Sequence, residues 1–190
     1  MHFSKRAALF GLAMFGAAAL AASADNIMQK AINDPGAFWV TWGNVKTNYV
    51  DAPMVKGGAA ERVTISPKPA NPWDAGASIV ISKPVHKGDV LLLMFWARAE
   101  KLPAGSDLVM LSGRIYENTP SGAGVSPQTT FLIGGQWKLY YANGTAAKDY
   151  PVGTLSAGMA LGTGDQVIDF GPVHVLDLGP NYNLNWLPHN

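Results

Sequence analysis

The segment Lys87-Gly88-Asp89-Val90-Leu91-Leu92-Leu93-Met94-Phe95-Trp96-Ala97-Arg98-Ala99 sets the reading of the chain. In an extended backbone successive side chains face opposite ways, so Leu91, Leu93, Phe95 and Ala97 share one face and Leu92, Met94, Trp96 and Arg98 the other. The first face is wholly apolar and reads as core. The second is mixed. Lys87-Gly88-Asp89 supplies the turn that introduces the strand. Further along, Leu108–Tyr116 repeats the pattern, with Val109, Leu111 and Ile115 on one side and Met110, Ser112, Arg114 and Tyr116 on the other.

Shorter runs of the same kind flank these two: Phe38–Trp42, Arg62–Ser66, Ser78–Ile81, Thr129–Ile133, Trp137–Tyr141, Leu155–Leu161 and Gln166–Leu178. The 21 glycines and 13 prolines fall between them, as turns do in a sheet protein. Only Ile27–Ile32 offers a short helical turn. Such a succession of strands predicts an all-β fold, a single β-sandwich. Asn143-Gly144 has the composition of a tight hairpin turn, Asn118–Pro127 that of a long loop, and Ser66–Pro72 that of a stiff one. Trp39 and Trp42 fall on opposite faces of one strand, so one of them is expected in the core. Tyr140 and Tyr141 likewise diverge, and Trp137, after Gly134-Gly135, is expected to pack.

Charged residues make up only 14% of the chain against 48% apolar, which excludes a disordered polyelectrolyte. Met1–Ala24 has a basic start in Lys5 and Arg6, an apolar stretch Ala7–Ala22 and a terminal Ala22-Ser23-Ala24, the layout of a cleaved secretory signal peptide. The expected organisation is therefore a leader, 1–24, and one β-sandwich domain, 25–190, secreted or periplasmic and with no membrane span in the mature chain. Removing Lys5 and Arg6 leaves 12 basic against 13 acidic residues, which disfavours nucleic acid as a partner. With no cysteine there is no disulfide framework, thiolate nucleophile or thiolate metal site.

If the two long strands share a sheet, Trp96, Arg98, Arg114 and Tyr116 gather on its outer face. Aromatic planes beside guanidinium donors suit a sugar, which presents an apolar C–H face and a rim of hydroxyls. Asn71-Pro72-Trp73-Asp74-Ala75-Gly76-Ala77, the Lys87–Ala99 strand, Gly135-Gln136-Trp137-Lys138-Leu139-Tyr140 and Val167-Ile168-Asp169-Phe170-Gly171-Pro172-Val173-His174-Val175 together resemble the carbohydrate-binding modules of families 4 and 9, as attached to bacterial xylanases and related glycoside hydrolases. The resemblance runs from about Phe38 to Gly179. It implies a galactose-binding-like β-jelly roll that binds a polysaccharide or oligosaccharide chain on a concave sheet, without catalysis, and a secreted glycoside hydrolase as partner. By position it implies carbohydrate contacts at Trp73, Trp96, Arg98, Arg114 and Tyr116, to which hydrogen bonding adds Gln128. The family also implies a structural calcium with Asp169 as one ligand, although Gly171 and Pro172 stand where a second acid is common; no cofactor is required.

No catalytic residue is assigned. Glycoside hydrolysis needs a pair of carboxyls about 5–9.5 Å apart, and only Glu61, Glu100, Glu117 and ten turn-like aspartates follow the leader. His86, His174 and His189 lack metal-ligand spacing, and Gly153-Thr154-Leu155-Ser156-Ala157-Gly158 misses a nucleophile elbow by one position. Two other readings stay open: an envelope protein using Met94, Met110 and Trp96 as a protein contact, and a polysaccharide lyase or hydrolase using Tyr116 with Arg98 or Arg114.

Overall fold

In a computed structural model, which describes residues 27–34 and 36–190, the Lys87–Ala99 segment forms the thirteen-residue strand β5 (Asp89–Lys101). The others are β1 (Val40–Trp42), β2 (Val45–Asp51), β3 (Ala59–Ile65), β4 (Gly76–Val80), β6 (Val109–Glu117), β7 (Thr129–Ile133), β8 (Lys138–Thr145), β9 (Leu155–Ala160) and β10 (Gln166–Pro180). They pair antiparallel into two five-stranded sheets, β1-β4-β9-β6-β7 and β2-β3-β10-β5-β8. The fold is an all-β sandwich. The leader 1–24 lies outside the described residues. Within 27–30 a helical turn is closed by the Lys30 N–H on the Ile27 carbonyl, 3.1 Å.

Alternation places the core between the sheets. Leu91, Leu93, Phe95 and Ala97 of β5 are buried with Val109, Leu111 and Ile115 of β6, in one cluster with Val63, Ile65, Ile168 and Phe170. Phe95 is its hub: its ring meets Phe131 edge-on at 5.0 Å across the two sheets, Tyr140 at 5.7 Å and Trp39 at 5.8 Å. Each such aromatic pair adds about 0.5–1.5 kcal/mol to the burial of its area. Trp39 is thus the core member of the Trp39/Trp42 pair, and Tyr140 of the Tyr140/Tyr141 pair. Where β3 no longer covers β10, Ile32 N–H donates to the Val175 carbonyl, and Asn33 bonds the Val173 and Val175 backbone.

Two expectations fail. β2 was not foreseen, because Lys46, Thr47, Asn48 and Tyr49 are all exposed on a sheet edge, and an edge strand without a buried face prints no alternation. Asn143-Gly144 is not a turn. Both residues lie inside β8, opposite Leu92 and Leu91 of β5. Gly144 answers to close approach instead, since a Cβ there would stand 2.6 Å from Ser126 Cα.

The outer face of the β2-β3-β10-β5-β8 sheet carries its own small core. The segment linking β2 to β3 folds back so that Ala52, Val55 and Ala60 pack with Val50, Trp96 and Trp137. Gly171 makes this possible, because a Cβ there would lie 2.9 Å from Trp96 Cβ. On the same sheet His174 stands opposite Met94, half-buried, its Nδ1 buried without a hydrogen-bond partner. Burial first, and the Lys56 charge second, pull its pKa below the ordinary 6.5. Below about pH 6.5 the unfolded chain therefore takes up a proton that the folded one resists, and stability falls as the pH drops. Thermal melts at about pH 7.5 and about pH 5 should differ less for His174→Gln than for the native chain.

Candidate functional site

The opposite face of the sandwich is open. On β4 and β9, two of the three inner strands of the β1-β4-β9-β6-β7 sheet, five of the six outward positions hold small residues, Gly76 and Ser78, then Ser156, Gly158 and Ala160; the sixth, Val80, stands exposed at the end of β4. Register lines them up in rungs. Trp42 stands beside Gly76, Gly76 beside Ala160 and Ala160 beside Ser112; in the next rung Val40, Ser78, Gly158 and Arg114 follow one another. The result is a trough with a flat floor between taller walls, a cleft of ≈ 810 Å³. The floor requires its glycines, since a Cβ at Gly76 would run into the Trp42 ring and one at Gly158 would lie 2.8 Å from the Ala77 carbonyl.

One wall is aromatic. Trp42 lies across Gly76 and is 40% exposed; its Nε1 donates to the Trp73 carbonyl at 3.0 Å. That bond ties it to the 3-10 turn Pro72–Asp74, on which Trp73 is 66% exposed. The turn is held at its start by Asp74 Oδ2, which accepts from the Asn71 backbone N–H at 2.9 Å and from Asn71 Nδ2 at 3.1 Å. From behind, Gly162 N–H donates to the Pro72 carbonyl at 2.9 Å. Gly43, at φ +83°, lets β1 end directly against this turn. Two indoles are thereby presented to solvent on a fixed frame.

The other wall is polar. Arg114 and Tyr116 project from β6, and Gln128 Nε2 donates to Ser112 Oγ at 2.7 Å. Arg114 Nη2 donates to the Gly122 carbonyl at 2.7 Å, which fixes the loop from Asn118 to Pro127 at the rim. Among the described residues lining the cleft, Arg114 is the one that carries a charge, and none is a carboxylate. The cleft thus offers ring faces and neutral or cationic donors, and no acid pair for glycosidic cleavage.

Of the residues anticipated from sequence, Trp73, Arg114, Tyr116 and Gln128 come together here. Trp96 and Arg98 do not join them, because β5 and β6 belong to different sheets. Trp96 is packed under the β2–β3 segment. Arg98 lies over the Trp137 ring, 5.4 Å from its centroid, within an ion network. Asp169, 0% exposed, stands between Arg62 and Arg98 on neighbouring strands. Its Oδ1 accepts from Arg62 Nε at 2.7 Å, and its Oδ2 from Arg62 Nη2 and Arg98 Nε at 3.0 Å each. Glu100 closes the network, 3.1 Å from Arg62 and 2.9 Å from Arg98. Hydrogen bonding to Asp169 holds the Arg62 guanidinium still more firmly protonated than usual.

These surroundings do not fit a calcium ion at Asp169: two cations occupy both carboxylate oxygens, and among the described residues no three His, Asp or Glu side chains are grouped to hold a metal. Sequence reasoning missed Trp42. Its signal was available in the run of small residues at alternate positions, 76 and 78, then 156, 158 and 160, which marks a face left low for something else to occupy.

No protein-family model and no curated protein matches the chain. Solved structures do. A CBM4 module superposes with a TM-score of 0.56 at 17% identity, over 80% of this chain and 97% of its own. The fold is that of carbohydrate-binding modules. The CBM22-1 xylan-binding domain from Paenibacillus barcinonensis aligns with a TM-score of 0.52 at 13% identity, over 79% of this chain and 92% of that one. The CBM22-1 and GH10 modules of a Clostridium thermocellum endo-1,4-β-D-xylanase, complexed with xylohexaose, align at 0.51 and 12%, over 78% of this chain and 27% of that longer one. CBM4 and CBM22 modules fit comparably, and at these identities the likeness establishes the fold and not a family.

Proposed function

We propose that this chain is an exported, non-catalytic module that binds a polysaccharide or oligosaccharide in the cleft of the β1-β4-β9-β6-β7 sheet. The observation that carries the reading is the trough itself: Trp42 and Trp73 face Arg114, Tyr116 and Gln128 across a floor of Gly, Ala and Ser. Sugar C–H faces stack on the indoles while the hydroxyl rim meets the opposite wall, so affinity and orientation come from different sides. Trp96, Arg98 and Asp169 act in this reading as structure, bracing the other sheet. The leader composition of residues 1–24 supports export, and the resemblance to families 4 and 9 supports the kinship within the wider fold. The xylanase neighbour, in which a like module shares a chain with a GH10 module, supports a secreted glycoside hydrolase as partner.

The test is retention of the purified chain on insoluble and soluble xylan, β-glucan, mannan, pectin and alginate, with released reducing ends recorded in parallel. Retention without release is the expected result; release would overturn the non-catalytic reading. Ala160→Phe should abolish retention by filling the trough between Gly76 and Ser112. Its side chain faces outward, so the melting temperature should change little. Retention undiminished by this variant would move the ligand out of the cleft.

A further inference from the structure

A second set of exposed aromatics stands away from the cleft. After β10 the chain continues as Asn181-Tyr182-Asn183-Leu184-Asn185-Trp186-Leu187-Pro188-His189-Asn190, without a single Asp, Glu, Lys or Arg. Trp186 is 74% exposed, more than either cleft tryptophan, and the Tyr182 ring stands edge-on to it at 6.3 Å. None of these residues lines the cleft.

This segment is fixed. The Asn183 side chain accepts from the Asn185 N–H at 3.0 Å and starts a 3-10 turn, Leu184–Trp186, that is closed by Leu187 N–H on the Leu184 carbonyl at 3.1 Å. Leu187 is buried. Asn190 then clamps the free edge of β8: its Oδ1 accepts from Tyr141 N–H at 2.8 Å, and its Nδ2 donates to the Tyr141 carbonyl at 2.9 Å. With Leu187 as one anchor and Asn190 as the other, the indole immediately before them is presented to water on a held frame. An indole left so exposed gains nothing for folding; a held one loses little entropy when a flat partner covers it.

We propose that Trp186 and Tyr182 form a second carbohydrate platform, for a neutral glycan. The chemistry of the patch selects that ligand. The ring of Trp186 provides a face for sugar C–H groups, and the exposed Asn181 and Asn185 bring amides that both donate to and accept from hydroxyls. Residues 181–190 hold no Lys or Arg, so the segment itself offers no guanidinium or ammonium to pair with an acidic glycan, a nucleic acid or a lipid headgroup. Because the platform stands on the β8 side and the cleft on the other sheet, a short oligosaccharide cannot span both. Two sites on separate faces act together only on a long or insoluble polysaccharide, where the second contact is made at high effective concentration.

The experiment is fluorine NMR of the chain labelled with 5-fluorotryptophan, each resonance assigned by a Trp→Phe variant, titrated with xylohexaose, cellohexaose and mannohexaose. Movement of the Trp186 resonance is expected, and it should persist when Trp42 and Trp73 are both replaced by alanine. Movement of Trp186 alone would keep the platform and remove the cleft reading. Movement confined to Trp42 and Trp73, or in no resonance, would overturn the platform. In parallel, Trp186→Ala should weaken retention on the insoluble form of the polysaccharide that binds by about tenfold, while the affinity of the cleft for the hexasaccharide stays unchanged. Equal retention by Trp186→Ala and the native chain would overturn the proposal, as would capture of a protein partner through Trp186 with no sugar-dependent shift.

Discussion

Replacing Trp42 by alanine should weaken polysaccharide binding by about 30-fold or more, the scale of a hot-spot aromatic worth about 2 kcal/mol. Three features concentrate the effect there. Its ring lies directly over Gly76 at the edge of the floor, where a sugar seated in the trough must meet it. Its Nε1 also holds the Trp73 carbonyl, so the substitution removes one of the bonds that position the second indole. The two tryptophans should accordingly behave as one unit: Trp73→Ala costs less than Trp42→Ala, and the double variant falls short of the sum of the two. Stability should change little, because Trp42 is partly exposed and outside the buried core cluster. Isothermal titration against the retained polysaccharide, with a melt of each variant, separates these effects. Unchanged affinity in a folded Trp42→Ala protein would remove the aromatic wall from the binding site.

The core was legible because burial writes itself into alternation: Leu91, Leu93, Phe95 and Ala97 face inward as their spacing required. β2 was illegible for the opposite reason, as its exposed side chains were selected by no common face. The site was half legible. Residue type picked out Arg114, Tyr116 and Gln128 and the family resemblance Trp73, but neither says anything of strand order, and Trp96-Ala97-Arg98 was assigned to the same surface on the assumption that β5 and β6 are neighbours. They sit in opposite layers. A sandwich of alternating strands offers two outer faces with similar sequence signatures, and only long-range pairing separates them. Asn143-Gly144 failed in a related way: glycine was read for its freedom of φ, whereas Ser126 approaching its Cα explains it.

Asp169→Asn should lower stability by about 3 kcal/mol, because it removes the charge of the buried carboxylate, one of the two that Arg62 and Arg98 share, and leaves both guanidiniums facing a neutral amide. Glu100 cannot compensate, being on the exposed side of the network. For a domain of this size that amounts to a fall in melting temperature of about 6–12 °C, with cleft affinity intact since the network lies on the other sheet. A compensated variant checks the cause. Replacing Arg62 and Arg98 by methionine along with Asp169→Leu removes three of the four charges at similar volume, leaves the more exposed Glu100 to water, and should recover most of the loss, because a buried ion pair contributes less net stability than breaking it costs. Chelation gives the remaining control. With both oxygens of Asp169 held by arginine, EDTA should leave the native melting temperature unchanged; a chelator-dependent fall that Asp169→Asn abolishes would reassign the carboxylate from its arginines to a bound ion.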